Sequence, residues 1–572
     1  MTTKRALSAF PEERMSQPSQ GEKQPDNAKS VDHLERGRRH YEQRAWADAY
    51  EALVLADSTC PLGTDDLERL AMSAYLIGRE EDYLKALDRA HRAFLDADEC
   101  ARAARCAFWI GLCLLFRGET GPATGWFGRA ERIIAREGGE CAEEGYVLLS
   151  RAARCLAESD SQGAYDAAAK GVEVGERFRE PDLIACTRHL QGQALLQQWQ
   201  VEQGLALLDE AMVSVVAGEL SPRMTGLIYC SVIDSCMQFY AFDRAREWTF
   251  ALSRWCEGQS QLVSFTGACL VHRAEIMQLQ GAWPDAVEEA HRACSGFPEE
   301  VGQQPPAAAF YRRGELHRLR GEFTAAEEAY RDASARGLEP QPGLALLRMA
   351  QGRLDAATIA IRRTVNGTSD RLQRAKLLPA CVEIMLAAGD VAGARDACRE
   401  LEEIAQDIGV AVLGAMAAHA RGSVELAEGD AAAALWSLRQ AFEFWHKAGA
   451  PYQAARVREL VGLACHALGD EEAAGLELEA AKTTFQQLGG APDLDRIASH
   501  SHGTEIAYSH GLTKRELQIL RLVAAGRTNK VIASELFVSQ RTVDRHVSNL
   551  FGKLDVSSRA AAASYAHKHG LI

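Results

Sequence analysis

The sequence predicts an all-α protein in which a long array of helical hairpins precedes a small four-helix unit. A pattern of small and large residues recurs about every 40 residues through most of the 572-residue chain, as it does in repeat architectures. No segment shows the alternation of apolar and polar residues that is typical of a β-strand. The last 62 residues hold ten Lys or Arg against four Asp or Glu, whereas the whole chain has a net charge of −15.

The composition indicates several domains or one extended array, because the chain is too long for a single ordinary core. Residues 1–30 are polar and lack periodicity, so we expect them to be disordered. No signal-peptide-like run and no stretch of 18 apolar residues occurs, so we expect a cytoplasmic protein without a membrane segment. The 15 cysteines form no C-x-x-C pair, which favours small core residues over metal ligands. The excess of Arg over Lys is typical of a high-GC bacterium.

The clearest repeat unit is GELHRLRGEFTAAEEAYRDA, residues 314–333, with small residues at Gly314 and Gly321 and large ones at Phe323 and Tyr330. These offsets predict a helical hairpin. Small residues let the two helices approach, a glycine occupies the turn, and the aromatic side chain fills the groove of the next unit. Turns are predicted near residues 44, 78, 118, 163, 199, 240, 281, 321, 352, 389, 429 and 469, with the weakest copies near 163, 240 and 389.

These offsets resemble those of tetratricopeptide repeats, although the spacing exceeds the repeat length of about 34 residues. The resemblance implies about a dozen hairpins over residues 31–488, coiled into a right-handed superhelix whose concave surface binds a ligand, peptide or protein. Aromatic residues are concentrated between 229 and 257. Their helical spacing favours the core between hairpins, and the alternative is the wall of a ligand cavity.

Residues 489–510 are polar and are interpreted as a linker, and residues 511–572 form the four-helix unit. Thr513 and Glu516 make a T-x-x-E capping box for its first helix. Ser539 is a suitable N-cap for the third helix, which has one apolar face and one polar, Arg-bearing face. A compact basic unit with this helix-turn-helix pattern, on an acidic body, is typical of a protein that reads duplex DNA.

Four motifs in this unit carry a family resemblance. They are L-T-x-R-E at 512–516, G-x-x-N-K-x-I-A-x-x-L at 526–536, S-x-x-T-V-x-x-H-V-x-N-L at 539–550 and K-L-x-V-x-x-R at 553–559. Together they resemble the LuxR-type helix-turn-helix over its whole length. The resemblance implies that the third helix enters the major groove of double-stranded DNA. It also implies that the Ala-rich fourth helix, from about Ser558, mediates a homodimer on two half-sites.

The resemblance also assigns the DNA contacts. Base contacts are expected at Asp544, Arg545 and Ser548. Phosphate contacts are expected at Lys530, Arg541, Thr542 and Lys553. Asp544 departs from the family, which often has Lys there; an acid can accept a hydrogen bond from cytosine N4, and Arg545 can donate to guanine O6 and N7. A solvated helix face is the alternative for any single charge, and the complete motif favours DNA contact.

Several functions are not indicated by the sequence. It contains no G-x-x-x-x-G-K-[ST] phosphate loop, no receiver domain and no recognisable pair of nucleophile and base. Large actinobacterial LuxR-type regulators couple an NTPase to a tetratricopeptide-like sensor and such a DNA-binding unit, and this chain resembles their C-terminal portion. We therefore expect no enzyme activity, no cofactor, no metal and no ATP-driven switching.

The sequence thus predicts a DNA-binding transcription regulator with two hypotheses for its array. In the first, the array is a receptor for a small molecule or peptide and gates DNA binding. In the second, it is a scaffold that recruits a partner protein to promoters. An enclosed apolar cavity with a few convergent polar groups favours the receptor. An open, charged concave face favours the scaffold.

Overall fold

The computed structural model describes residues 25–138, 140–259, 261–295, 307–502, 512, 514–536, 538–569 and 571. Within these residues every helix or strand assigned is an α-helix, so the all-α prediction is confirmed. No helix in this described portion is both long and apolar enough to cross a membrane.

The helices are numbered in chain order. The first twelve are α1 (Pro25–Glu42), α2 (Trp46–Thr59), α3 (Thr64–Leu76), α4 (Glu80–Asp96), α5 (Cys100–Phe116), α6 (Thr120–Glu137), α7 (Glu143–Ala157), α8 (Ser161–Phe178), α9 (Pro181–Gln197), α10 (Val201–Ala217), α11 (Pro222–Gln238) and α12 (Phe242–Glu257). The next twelve are α13 (Thr266–Leu279), α14 (Trp283–Ser295), α15 (Ala307–Arg320), α16 (Phe323–Ala335), α17 (Gly343–Ala350), α18 (Leu354–Gly367), α19 (Arg371–Ala387), α20 (Val391–Ile408), α21 (Ala411–Glu428), α22 (Ala431–Lys447), α23 (Pro451–Ala467) and α24 (Glu471–Leu488). The last five are α25 (Ala491–His502), α26 (Lys514–Ala524), α27 (Asn529–Glu535), α28 (Gln540–Leu554) and α29 (Arg559–Lys568).

Helices α1 to α24 follow one another in pairs, and a short turn joins the two helices of each pair. Eleven of the predicted turn positions fall in these turns, where a residue such as Gly321, with a φ of 82°, adopts the left-handed conformation. The position predicted near 163 is wrong. Gly163 lies in the first turn of α8, where its N–H donates to the Asp160 carboxylate at 2.9 Å. The turn itself is centred on Ser159, which has a φ of 62°.

Glycine and a large side chain face each other where the helices of a hairpin cross. A Cβ on Gly111 would lie 2.7 Å from a ring carbon of Phe127, so only glycine permits this approach. Tyr330 lies between Gly314 of its own hairpin and Gly343 of the next, where a Cβ would lie 2.6 and 2.5 Å from it. The aromatic residue therefore joins two successive hairpins, as the repeat pattern predicts.

The chain divides into two units, and the first contains residues up to 150 together with 258–264. Within this unit the 258–264 segment is anchored to the hairpins by hydrogen bonds. The Trp46 indole Nε1 donates to the Gln259 side chain at 3.2 Å, and the Val263 N–H donates to the Leu76 carbonyl at 3.0 Å.

The second unit contains residues 151–257 and 265–572, and its hairpins wind back on themselves. The ring centroids of Trp283 and Tyr452 lie 5.3 Å apart, and Leu488 packs in the same hydrophobic cluster as Trp283. A Cβ on Gly321 would lie 3.3 Å from Pro492, so the α15–α16 turn touches α25. Because these contacts join helices that are far apart in the sequence, the second unit encloses an interior space.

Two boundary predictions are corrected by the structure. The predicted linker is wrong for residues 491–502, which form α25. Leu494 and Ile497, three residues apart, give α25 an apolar face that packs in a cluster with Phe485 of α24. The rest of the predicted linker, residues 503–510, lies outside the described residues. The predicted disorder over 1–30 is wrong from Pro25, where α1 begins, and residues 1–24 lie outside the described residues.

Candidate nucleic-acid interface and interior cavity

The C-terminal module, residues 511–572, contains α26 to α29, as the sequence predicts. The side-chain oxygens of Thr528, Ser539 and Ser558 cap α27, α28 and α29 by accepting from backbone N–H groups at 3.1 to 3.3 Å. Thr513 of the predicted capping box lies outside the described residues. Glu516 forms an ion pair with Lys553 of α28 at 2.8 Å, and the Glu516 side chain is 4 % exposed. Lys553, predicted to contact phosphate, therefore also ties α28 to α26.

Apolar side chains from α26, α27 and α28 hold the helix-turn-helix together. Ile519, Ile532 and Val543 are each fully buried in one cluster. The fourth helix packs into a second cluster, in which Ala562 and Ala566 are also fully buried. The expectation that the Ala-rich helix presents its alanines to a second copy is therefore wrong for Ala562, because its methyl group already fills the module's own core.

The outer face of α28 carries the predicted base-contacting residues. Asp544 and Arg545 are exposed on it, and the Ser548 hydroxyl donates to the Asp544 backbone carbonyl at 3.0 Å. The Asp544 carboxylate accepts from the Asn529 amide at 2.6 Å, so it links α28 to the start of α27. Asn529 in turn accepts from the Arg559 guanidinium. These hydrogen bonds hold the start of α27 against α28 and α29.

The residues predicted to contact phosphate lie around this face. Lys530 and Arg541 are exposed, and among the described residues neither makes a hydrogen bond or ion pair. The Thr542 hydroxyl lies 2.7 Å from the Ser539 hydroxyl beside the N-terminus of α28. Two free cations and a helix N-terminus on one side of α28 form a surface that suits phosphate oxygens.

The same face of the module contacts the repeat array at the acidic N-terminus of α24. The Arg545 guanidinium forms an ion pair with Glu472 in the first turn of α24. Beside this pair, Arg515 of α26 lies over the α23–α24 turn, where a Cβ on Gly469 would lie 3.4 Å from its Cδ. Burial lowers the pKa of the Arg515 guanidinium, and the nearby Asp470 carboxylate opposes this shift. A residue predicted to read bases is thus engaged by a carboxylate of the array.

A cavity of about 980 Å³ lies inside the second unit. Its wall comes mainly from the first helices of successive hairpins, α15, α17, α19, α21 and α23, and from α25. One part of the wall is apolar and belongs to a single hydrophobic cluster. This apolar wall consists of Tyr240, Phe242, Leu279, Met416, Trp445 and Leu460.

The rest of the cavity wall carries a network of ion pairs. Arg318 pairs with Glu315 at 2.8 Å, and Arg456 pairs with Glu383 at 2.8 Å. Arg496 of α25 donates to both Glu459 oxygens at 2.7 and 2.6 Å. Burial alone would raise the pKa values of the Glu315 and Glu383 carboxyls, but the neighbouring arginines outweigh it and lower both. The Glu315 and Glu383 carboxylates therefore stay ionised at neutral pH.

Three polar groups of the cavity wall stand outside this network. The buried Tyr240 hydroxyl and the Trp445 indole Nε1 have no hydrogen-bond partner in the described part of the chain, and Trp445 is 5 % exposed. Burial lowers the pKa of His419 to about 4, so its imidazole is neutral at pH 7. The Tyr240 hydroxyl and the Trp445 Nε1 have almost no accessible surface, and buried polar atoms without a partner are rare in folded proteins.

The sequence left two alternatives for the aromatic residues between 229 and 257, the core between hairpins and the wall of a cavity, and these residues contribute to both. Tyr229 and Trp255 pack in the interior with ring centroids 6.2 Å apart. Tyr240 and Phe242 line the cavity. Sequence reasoning missed Glu472 because its partner lies in the C-terminal module. It missed the pairs of Arg456 with Glu383 and of Arg496 with Glu459 because their members lie on elements far apart in the sequence. Within the described residues no group of three or more His, Cys, Asp or Glu side chains is arranged to hold a metal ion.

Comparisons with known proteins place the module in a family. Residues 510–566 match the family described as bacterial regulatory proteins, luxR family. The transcriptional regulatory protein LiaR of Bacillus subtilis (strain 168) is 53% identical over 72 residues, which are 12% of this chain and 34% of LiaR. The response regulator protein VraR of Staphylococcus aureus (strain Mu3 / ATCC 700698) is 48% identical over 61 residues, which are 11% of this chain and 29% of VraR. The chain thus spans about a third of the length of these relatives.

Two solved structures are similar to the chain at the level of helical repeats. A chain in the crystal structure of the APC/C hetero-tetramer Cut9-Hcn1 is 12% identical, with a TM-score of 0.41 and coverage of 90% of this chain and 96% of that one. A tetratricopeptide repeat protein from Parabacteroides merdae ATCC 43184 is 14% identical, with a TM-score of 0.26 and coverage of 56% and 99%. By its match over residues 510–566, the C-terminal module is a LuxR-type helix-turn-helix domain.

Proposed function

We propose that this protein is a sequence-specific DNA-binding transcription regulator whose helical array controls the access of the C-terminal module to DNA. The module supplies the DNA-binding surface through α28 and the basic residues around it. Its relatives LiaR and VraR are named as regulators, and the match to them is confined to this module. On DNA, two modules bind paired half-sites as a homodimer, as the helix-turn-helix geometry favours.

The observation that carries this proposal is the ion pair between Arg545 and Glu472. A guanidinium held against a carboxylate of the array is not positioned to form the bidentate contact with guanine that base reading requires. Asp470, whose carboxylate acts on Arg515 of the module, adds negative charge beside this pair. The state described here is therefore a closed state, and DNA competes with α24 for α28.

The cavity is partly open and carries ion pairs as well as an apolar wall, and this apolar wall favours the receptor hypothesis for the array. Contacts between distant hairpins close the second unit around a space whose wall combines apolar side chains with convergent polar groups. A ligand in this space touches α23 and α25, the two helices that flank α24 in the sequence. A shift of these helices changes the position of the α24 N-terminus against the module. The array is thus able to convert ligand binding into release of α28.

The test is the affinity of the full-length protein for promoter DNA when Glu472 is replaced by Gln. The two side chains are 64% and 46% exposed, so the pair contributes about 0.2–1 kcal/mol, as surface ion pairs do. Its removal is expected to tighten DNA binding by up to about fivefold in an electrophoretic or anisotropy titration.

The matched control is Glu471→Gln, which removes a neighbouring charge from the same helix turn. Glu471 pairs with His466 and not with the module. Its replacement removes the same charge from the N-terminus of α24, and with it the same interaction with the helix dipole, while the ion pair of Arg545 is kept. Glu471→Gln is expected to leave DNA affinity unchanged. Equal DNA affinity for wild type and Glu472→Gln would refute the closed state.

A further inference from the structure

The Asp544 side chain belongs to a series of hydrogen bonds that runs through the C-terminal module. Its carboxylate accepts from the Asn529 amide at 2.6 Å, and the Asn529 side-chain oxygen accepts from the Arg559 guanidinium. Arg559 also donates to the backbone carbonyl of Arg527, in the turn between α26 and α27. The series therefore connects α28 with the first residues of α27 and α29.

The Asn529 amide fits this series in one orientation. Its NH2 group can only donate and its oxygen can only accept, so the NH2 group faces the carboxylate and the oxygen faces the guanidinium. Each of these hydrogen bonds has one charged partner, and such bonds are about twice as strong as those between neutral groups. Asn529 is therefore held from both sides, between an anion and a cation.

The hydrogen bond between Asn529 and Asp544 also fixes two cations relative to each other. Lys530 follows Asn529 in the first turn of α27, and Arg545 follows Asp544 in α28. Both cations are exposed. Lys530 is expected to contact phosphate and Arg545 is expected to read a base. The bond thus joins the two residues that immediately precede these cations in the sequence.

A contact with cytosine N4 is the alternative role of Asp544. One carboxylate oxygen is already engaged by Asn529, and the Ser548 hydroxyl donates to the Asp544 backbone carbonyl at 3.0 Å. Two of the three residues expected to read bases are thus engaged within the module. An acid on the surface that faces DNA also repels the phosphates. What Asp544 contributes favourably is therefore its hydrogen bond to Asn529.

We propose that Asp544 is a positioning residue of the DNA-binding surface. By holding Asn529 it sets the distance between Lys530 and Arg545, and it reads no base itself. Sequence preference then comes from Arg545, whose guanidinium matches guanine O6 and N7. This proposal rests on the proposed function in one respect, that the module binds DNA, and it does not require the array to hold α28.

The test compares two replacements of Asp544 in the full-length protein. Both remove the negative charge, and with it the repulsion of phosphates, but only Asp544→Asn keeps an oxygen that accepts from Asn529. The probe is a duplex that the wild type selects from a library of random sequences. Asp544→Ala is expected to bind this duplex about three- to tenfold more weakly than Asp544→Asn, because it lacks one hydrogen bond. Equal affinity of the two variants would overturn the proposal.

A double-mutant cycle and a second selection separate positioning from base reading. Asn529→Ala is expected to cost at least about threefold less affinity in the Asp544→Ala background than in the wild type, because the hydrogen bond is already absent there. Asp544→Ala is expected to select the same consensus as the wild type. Independent losses in the cycle would contradict the link through Asn529. A preference lost at one base position with Asp544→Ala would make Asp544 a base-reading residue. Asp544 lies outside both apolar clusters of the module, so its replacement leaves them intact.

The Glu472→Gln background separates this proposal from control of DNA access by the array. The affinity ratio of Asp544→Asn to Asp544→Ala is expected to be the same with Glu472 and with Gln at that position. If the ratio is as expected but Glu472→Gln does not tighten DNA binding, the positioning role stands and the closed state fails. If Glu472→Gln tightens DNA binding and the two Asp544 variants bind equally, the closed state stands and the positioning role fails.

Discussion

Replacing Arg496 by Met is expected to detach α25 from the repeat array. The guanidinium donates to Glu459 at 2.7 and 2.6 Å and to Asp493 at 2.6 Å. Both carboxylates have side chains that are only 4 % exposed. Without the arginine, the two buried carboxylates lose their hydrogen-bonded cation and keep only the longer-range attraction of Arg456. Breaking a buried ion pair in this way costs about 3–5 kcal/mol. Because Arg496 itself is 35% exposed, we expect a value near the lower end, about 3 kcal/mol.

Amide hydrogen exchange measures this loss directly, since it reports the free energy of local opening. Peptides from residues 491–502 are compared between wild type and Arg496→Met. The matched control is Arg399→Met, whose partner Asp396 lies on the surface, and it should change local stability by less than about 0.5 kcal/mol. Adding Glu459→Gln to Arg496→Met removes one of the uncompensated charges and should restore part of the loss. If Arg496→Met leaves exchange in α25 unchanged, the ion pairs do not hold the helix in place.

Three further predictions concern the hairpins and the module. Gly111→Ala places a Cβ against an aromatic ring and should cost about 1–3 kcal/mol in thermal unfolding. Gly125→Ala lies inside α6, where a Cβ would meet no atom within 4 Å, and should stabilise the protein by about 0.5–1 kcal/mol. A loss of stability in both variants would contradict this packing. In a site-selection experiment, Arg545→Ala should relax one base position by about 1–3 kcal/mol, whereas Lys530→Ala should weaken binding to all sequences alike; an unchanged consensus for Arg545→Ala would remove that residue from base reading. Ala562→Glu should abolish binding to single and paired half-sites equally, because it buries a charge in the module core; a loss confined to paired sites would restore Ala562 to a dimer interface.

The repeat pattern predicted the hairpins well because it reflects contacts that are local in the sequence. A glycine and a large side chain 16 residues later, such as Gly314 and Tyr330, must meet whenever two helices pack across a short turn. The turn near 163 was misplaced because a glycine there serves the N-terminus of a helix and the turn uses Ser159 instead. Helix α25 was taken for a linker because only Leu494 and Ile497 form its apolar face among Ser and His residues.

The candidate sites were predictable only in part, for the same physical reason. The motif placed Arg545 and Lys530 on the exposed side of the module, because their spacing follows from helix geometry. Nothing in the sequence pairs Arg545 with Glu472, since the two charges are surface residues of separate elements. The cavity depends on contacts such as that of Trp283 with Tyr452, which arise only when many small rotations between hairpins add up.

In the proposed mechanism, α28 is either held by α24 or bound to DNA. Hydrogen exchange of the full-length protein, with and without promoter DNA, tests it without any substitution. The segment from 469 to 476 contains the turn and the first residues of α24 that contact the module. DNA is expected to raise exchange in this segment while it lowers exchange in α28. Unchanged or slower exchange at 469–476 in the DNA complex would contradict it, because α28 would then bind DNA without leaving α24.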